Sequence, residues 1–525
     1  MQTFKKTSTT AWRRSVYCGI AVTVCGLLVS RSVEAQSIRF PWGGYGHEAQ
    51  HDAIASVASQ PLNHILWHTP VDLSVPTNNT GELFIHYGSP LITRSNTVIV
   101  PVKTGASGGF EVEALVGATG ATNWILPTDY ILPPHGWILS FSPTLTPKNR
   151  LYFPGGGGTV YYCDTPDTTN ISPVIGQIAF FGLTNYTANT NAYLTNVCIN
   201  TPITADRYGN IFFGFQVTGP TPLNFPSGIA RIDYNGTGTW VAASNAASDA
   251  GISKVVMNCA PALSNDHKTL YLAVNTGNFG SGYLVALDSR TLTPLARVRL
   301  KDAKTPANDA LLPDDGTASP TVGPDGDVYY GILENPFPSN NDRGRLLHFN
   351  STLTQSKTPG AFGWDDTASI VPASMVPSYH GSSPYLLMTK YNNYADSGLG
   401  GDGVNKIAIL DPQNSMADPI SGATNVMKEV LTIAGPTPDL NNRNAQHPNA
   451  VREWCINSAA VDPFTKSVLV NNEDGKLYRW DLTSNTLSET NVLTSGIGEA
   501  YTPTLVGVDG IVYAINNATL YAVGH

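Results

Sequence analysis

The sequence predicts an all-β chain: a β-propeller of eight four-stranded blades, closed by a strand from the N-terminal side. Three observations carry this. A loosely repeated segment recurs, with copies starting near 88, 142, 201, 260, 319, 369, 458 and 502, a period of roughly 45–60 residues. Each copy holds short apolar runs separated by polar or Gly-containing turns, the pattern of blades and not of helices. Charged residues are only 13% of the 525, against 49 Gly and 37 Pro, which suits short strands joined by turns. The uneven spacing after the fifth copy leaves a seven-bladed ring open.

A copy begins with small residues leading into an apolar run, as in Ser142-Pro143-Thr144-Leu145 and Ser319-Pro320-Thr321-Val322. A polar hairpin turn follows, for example Asp206-Arg207-Tyr208-Gly209, Pro324-Asp325-Gly326 or Val508-Asp509-Gly510. The second run, such as Asp327-Val328-Tyr329-Tyr330, leads through a variable loop to a third run ending near Asp288 or Asp481. That loop is short at 155–158, rich in Pro and Asn at 335–344, and longest near 392–405. Strands in a blade alternate direction, so these loops share a face with the approaches to the first strands. Variable loops on a rigid scaffold make that face the candidate binding face. The last copy, 501–523, holds at most three strands, and Ile65-Leu66-Trp67-His68-Thr69-Pro70 reads as its missing outer strand. The stretch 411–450, rich in Pro, Asn and Asp, reads as an insertion between the sixth and seventh blades.

The first 35 residues read as a signal peptide. Lys5, Lys6, Arg13 and Arg14 precede an apolar stretch at 16–29, and Ser32-Val33-Glu34-Ala35 offers a cleavage site after Ala35. The apolar stretch is shorter than the ~20 residues a membrane-spanning helix needs. The expected organisation is a leader at 1–35, a lead-in segment at 36–62 and the propeller at 63–525, in a secreted or periplasmic protein without a membrane span. Net charge is −9 with no basic run after the leader, which argues against nucleic acid as a partner. Cys163, Cys198, Cys259 and Cys455 remain after cleavage, enough for up to two disulfides of undetermined pairing or for buried thiols.

Two segments carry a family resemblance. Ala114-Leu115-Val116-Gly117-Ala118-Thr119-Gly120-Ala121-Thr122-Asn123-Trp124 resembles the docking motif Ala-x-Asp-x-x-Thr-Gly-x-x-x-Trp of pyrroloquinoline-quinone-type (quinoprotein) propellers, with Val116 in place of the Asp. Gly46-His47-Glu48-Ala49-Gln50-His51 resembles that family's lead into its first blade. The group includes alcohol dehydrogenases and non-enzymatic assembly or binding proteins, so the resemblance implies the fold and leaves the activity open. The family's enzymes sandwich the quinone (PQQ) between a Trp and a disulfide of adjacent cysteines, beside a calcium held by acidic residues and an Asn. This chain has no Cys-Cys pair, so PQQ is not the expected cofactor.

Two constellations stand out chemically. His47, Glu48 and His51 match His-Glu-x-x-His, which on a helix would bind zinc with Glu48 as base. The lead-in offers no domain to hold such a helix and no third ligand close behind. Acidic residues also precede the first strand in four successive copies: Asp314 with Asp315, Asp365 with Asp366, Glu453, and Glu499. Asp315, Asp366, Glu453 and Glu499 are expected to ring one sector of the channel mouth. There they would suit a hard cation such as Ca²⁺, a cationic ligand group, or acid–base work, unless they only cap turns. The segments 105–109 and 398–403 match Gly-x-Ser-x-Gly and Gly-x-Gly-x-x-Gly but sit in loops before strands, without the helix either chemistry needs. The expected function is a binding or scaffold module for a protein, small-molecule or carbohydrate ligand. The alternative is an enzyme, either a divergent quinone-dependent dehydrogenase or one that uses the mouth carboxylates.

Overall fold

The computed structural model describes residues 42–76, 87–106, 108–133, 141–422, 425–495 and 502–525. The leader, the first residues of the lead-in and Glu499 lie outside these. Eight antiparallel sheets follow one another along the chain and form eight blades. Their first strands begin at Leu91, Thr144, Thr204, Ala262, Thr321, Ser369, Ala460 and Leu505, at or just after the starts of the sequence repeats.

Burial explains the strand sequences. Inner strands such as Thr97–Lys103 and Thr269–Asn275 pack against neighbouring blades on both faces and are apolar along most of their length. Outer strands face solvent on one side, and Thr486–Val492 alternates accordingly. The polar turns are tight hairpins. Gly326 and Gly510 adopt left-handed φ of 89° and 84°, open to glycine at no steric cost. In the blade-3 turn the Asp206 carboxylate accepts the N–H groups of Tyr208 and Asn210 at 2.8 and 2.9 Å.

His64–Pro70 pairs antiparallel with Thr519–Gly524 and becomes the fourth strand of blade 8. The ring therefore closes by joining both ends of the propeller segment. Blade 5 departs from the four-stranded plan: it has three strands, and isolated bridges Phe349–Ser356 and Leu346–Gly360 occupy the outer place. Much of the stretch expected as an insertion is built into blade 6, where Lys406–Ala417 is the third strand and Asn425–Ala434 the fourth. Their ladder shifts register between Asp411 and Ser415, a bulge that takes up Pro412, Gln413 and Asn414. Residues 435–459 then connect to blade 7.

The lead-in lies inside the ring. The N–H groups of Ile92, Leu145, Leu263, Val322, Ile370 and Val461, all in first strands, donate to the carbonyls of Trp42, Gly43, Ala49, Gln50, Asp52 and Ala53 at 2.7–3.0 Å. Residues 42–53 thus pass from blade to blade across the channel end that carries the first hairpin turns. Trp42, Tyr45 and His51 are buried. Among the described residues no helix is long and apolar enough to cross a membrane.

Candidate functional site

At the opposite channel end, the approaches to the first strands meet the loops between second and third strands, as strand alternation requires. One pocket of about 150 Å³ is lined by Asp342, Trp364, Asp365, Lys390, Tyr394 and Glu453. Trp364, Asp365 and Glu453 precede first strands. Asp342 and Tyr394 belong to second-to-third loops, and Lys390 is the penultimate residue of the second strand of blade 6, Tyr385–Tyr391. Three blades therefore supply one site.

The acidic residues divide into two roles. Asp314 and Asp365 each reach back to the preceding blade. Asp314 accepts from Lys254 Nζ at 2.5 Å and from the Met257 N–H at 3.2 Å. Asp365 accepts from the Thr317 N–H and hydroxyl at 2.6 and 2.5 Å, and its other oxygen lies 3.6 Å from Lys390 Nζ. Turn capping between blades is thus part of what these carboxylates do.

The others carry perturbed chemistry. Asp366 is fully buried and accepts the Thr389 hydroxyl. Burial pushes its carboxyl up to about 7, with the charge of Asp365 adding and that of Lys390 opposing. Asp315, half-buried, is raised to about 6 by desolvation and by the charges of Asp365 and Asp314. Burial and the charge of Glu453 hold the Tyr394 phenol well above its ordinary range. The Glu453 carboxylate also lies with Cys455 and Glu473 in a group whose ligand atoms are within 4.8 Å of one another. In that group Cys455 Sγ donates to Glu473 Oε2 at 3.6 Å, and the Glu453 N–H donates to Glu473 Oε1 at 3.1 Å.

Of the residues expected to ring the mouth, Glu453 lines this pocket, Asp315 and Asp366 are not among its lining residues, and Glu499 lies outside the described residues. Sequence reasoning missed Asp342, Lys390, Tyr394 and Glu473. Lys390 had a visible signal, a lone charge in the apolar run Tyr385–Tyr391. All four cysteines among the described residues are free thiols.

The His-Glu-x-x-His segment is not a helix. Gly46, His47, His51 and Ala53 have φ of 61°, 86°, 60° and 57°, so the chain turns repeatedly and the imidazoles do not share a helix face. His51 Nδ1 donates to the Pro320 carbonyl at 2.7 Å, and burial pushes its imidazole down to about 4, leaving it neutral near pH 7. His47 Nδ1 lies 3.0 Å from Asp52 Oδ1. Against the desolvation of its surroundings, this hydrogen bond and the charge of His47 hold the Asp52 carboxyl below its ordinary range. The ligand atoms of His47, Glu48 and Asp52 come within 4.8 Å of one another. Asp52, not His51, completes that group.

No protein-family profile matches the chain, and no curated protein sequence does. Solved structures do share its fold. A europium-containing methanol dehydrogenase superimposes with a TM-score of 0.54 at 10% identity, covering 91% of this chain and 89% of that one. A quinohemoprotein alcohol dehydrogenase from Comamonas testosteroni gives 0.55 at 10% identity, covering 92% and 80%. The resemblance to quinoproteins is thus a likeness of the eight-bladed propeller.

The residues present do not fit the quinone that this fold implies. No adjacent cysteines exist to cover one of its faces. The pocket of about 150 Å³ falls below the ~300 Å³ at which pockets for drug-sized ligands begin. Its lining sets three carboxylates against one lysine, which repels a polycarboxylate cofactor.

Proposed function

We propose that the protein is an exported binding module whose channel mouth seats a cationic group of a ligand or partner. The observation that carries this reading is the convergence of Asp342, Asp365 and Glu453, from three blades, on one pocket beside the raised carboxyls of Asp315 and Asp366. Burial raises both carboxyls, with the charge of Asp365 adding to each, and a cation placed there favours their ionised forms. Ligand binding to the folded state raises the melting temperature with concentration. The test is therefore calorimetric melting with CaCl₂ and, separately, spermidine. The wild type is expected to be stabilised by at least one of them, and the double variant Asp366→Asn/Glu453→Gln to lose that response. No response of the wild type to either cation contradicts the reading.

A second reading has its own support, because a buried carboxyl near 7 is what a general acid–base group needs. A dye-linked alcohol oxidation assay, with and without added PQQ and Ca²⁺, separates the two. Turnover that Asp366→Asn abolishes replaces the binding reading with an enzymatic one.

A further inference from the structure

A cleft of about 760 Å³ lies on the outer rim, between blades 2 and 3. One wall is the outer strand of blade 2, Ile175–Ala179, with the residues that follow it. The other is the hairpin joining Gly228–Ile232 to Gly238–Ala242 in blade 3. Two large aromatic side chains are presented to solvent here, Tyr234 at 57% and Trp240 at 38% exposure.

Trp240 is exposed without being loose. Its ring lies 5.5 Å from Phe225 and 6.3 Å, edge-on, from Phe215, so the core fixes the indole while part of it faces the cleft. On the opposite wall the Arg150 guanidinium stacks over Tyr162 at 4.6 Å, and its charge is met by Asp164 at 2.5 Å. The remaining polar lining is neutral: Gln177, Asn235 and Thr237.

We propose that this cleft is a glycan-binding site that takes a run of pyranose rings. A pyranose shows an apolar C–H face bordered by hydroxyls. Aromatic platforms match the face, and neighbouring amides and hydroxyls match the border. A platform already fixed by packing loses little rotamer freedom on binding. A nucleic acid would need a cationic track, and here Lys148, 5.9 Å over the Tyr234 ring, and the Asp164-paired Arg150 are isolated cations that form none. A proline-rich peptide would favour aliphatic slots between the rings over amides.

The test is titration calorimetry of the full protein with cellohexaose, xylohexaose, chitohexaose and hexagalacturonate, the last separating uronate from neutral sugars. At least one is expected to bind. Trp240→Ala and Tyr234→Ala are each expected to weaken it about tenfold or more, as loss of an aromatic anchor does, with Trp240→Phe retaining most of the affinity. Tyr234 is mostly exposed, so Tyr234→Ala keeps the parent melting temperature and separates lost binding from lost folding. No binding by any hexaose, or binding unchanged in both alanine variants, overturns the proposal. So does capture of a decaproline peptide, lost in Trp240→Ala, in place of the sugars.

Discussion

The two ends of the central channel are built from the same eight first strands and finished in opposite ways. At the hairpin-turn end, residues 42–53 cross the ring and take up backbone N–H groups from six blades. At the loop end, side chains finish the ring, and burial, with the charge of Asp365 adding, raises Asp315 and Asp366 to about 6 and 7. An end whose polar groups are satisfied by backbone is a plug, and its sequence serves packing. The other end gathers carboxylates from three blades at one pocket, and a binding site can be made from that. Tyr45 joins the two: it rises from the plug, and its hydroxyl reaches the Thr317 carbonyl, Thr367 Oγ1 and Asn457 Oδ1 at 3.1, 3.1 and 2.6 Å, beside the approaches of blades 5, 6 and 7.

Variants at each end break this contrast to different degrees. Trp42→Ala has the largest expected effect. The side chain is fully buried, and its loss costs about 3–5 kcal/mol, read as a lower unfolding midpoint in denaturant. Tyr45→Phe keeps the ring and removes the hydroxyl, leaving buried acceptors unmet at a cost of about 1–3 kcal/mol in the same measurement.

Asp366→Asn has the smallest effect on stability and the opposite sign above neutral pH. The carboxyl titrates near 7 in the folded state and near ~3.9 in the unfolded chain, so the folded state holds the extra proton between those values. Stability from this group is full below ~4 and falls as pH rises towards about 7. The variant removes that slope, and its melting temperature at alkaline pH is expected to exceed the parent's by about 1–3 °C. A plug variant such as Tyr45→Phe leaves the slope in place.

The ring was legible because each blade repeats the same local constraints: a small-residue approach, a buried run, a Gly or Asp turn. The closing strand was legible because His64–Pro70 reads as a strand with no neighbour in sequence. Blade 6 was harder. Pro412 and Asn414 carry turn chemistry, yet a bulge lets one strand run through them. Of the pocket's lining, the repeat register pointed to Asp365 and Glu453, the carboxylates that precede first strands. Asp342 and Glu473 lie in second-to-third loops, which vary between copies, and Lys390 is a lone charge in a second strand that ring geometry sets beside Asp365. His47 and His51 misled because a five-residue motif does not record φ. The glycines at 43, 44 and 46 were the hint that this segment turns.

The central claim is that burial, with the charge of Asp365 adding, holds the Asp366 carboxyl largely protonated, and that it gives up its proton when a cation binds at the mouth. Titration calorimetry with the stabilising cation near pH ~6.5, in buffers of different ionisation enthalpy, measures this directly. The account predicts release of about one proton per cation bound in the wild type, and markedly less in Asp366→Asn. Binding without proton release, or release unchanged in Asp366→Asn, would contradict it.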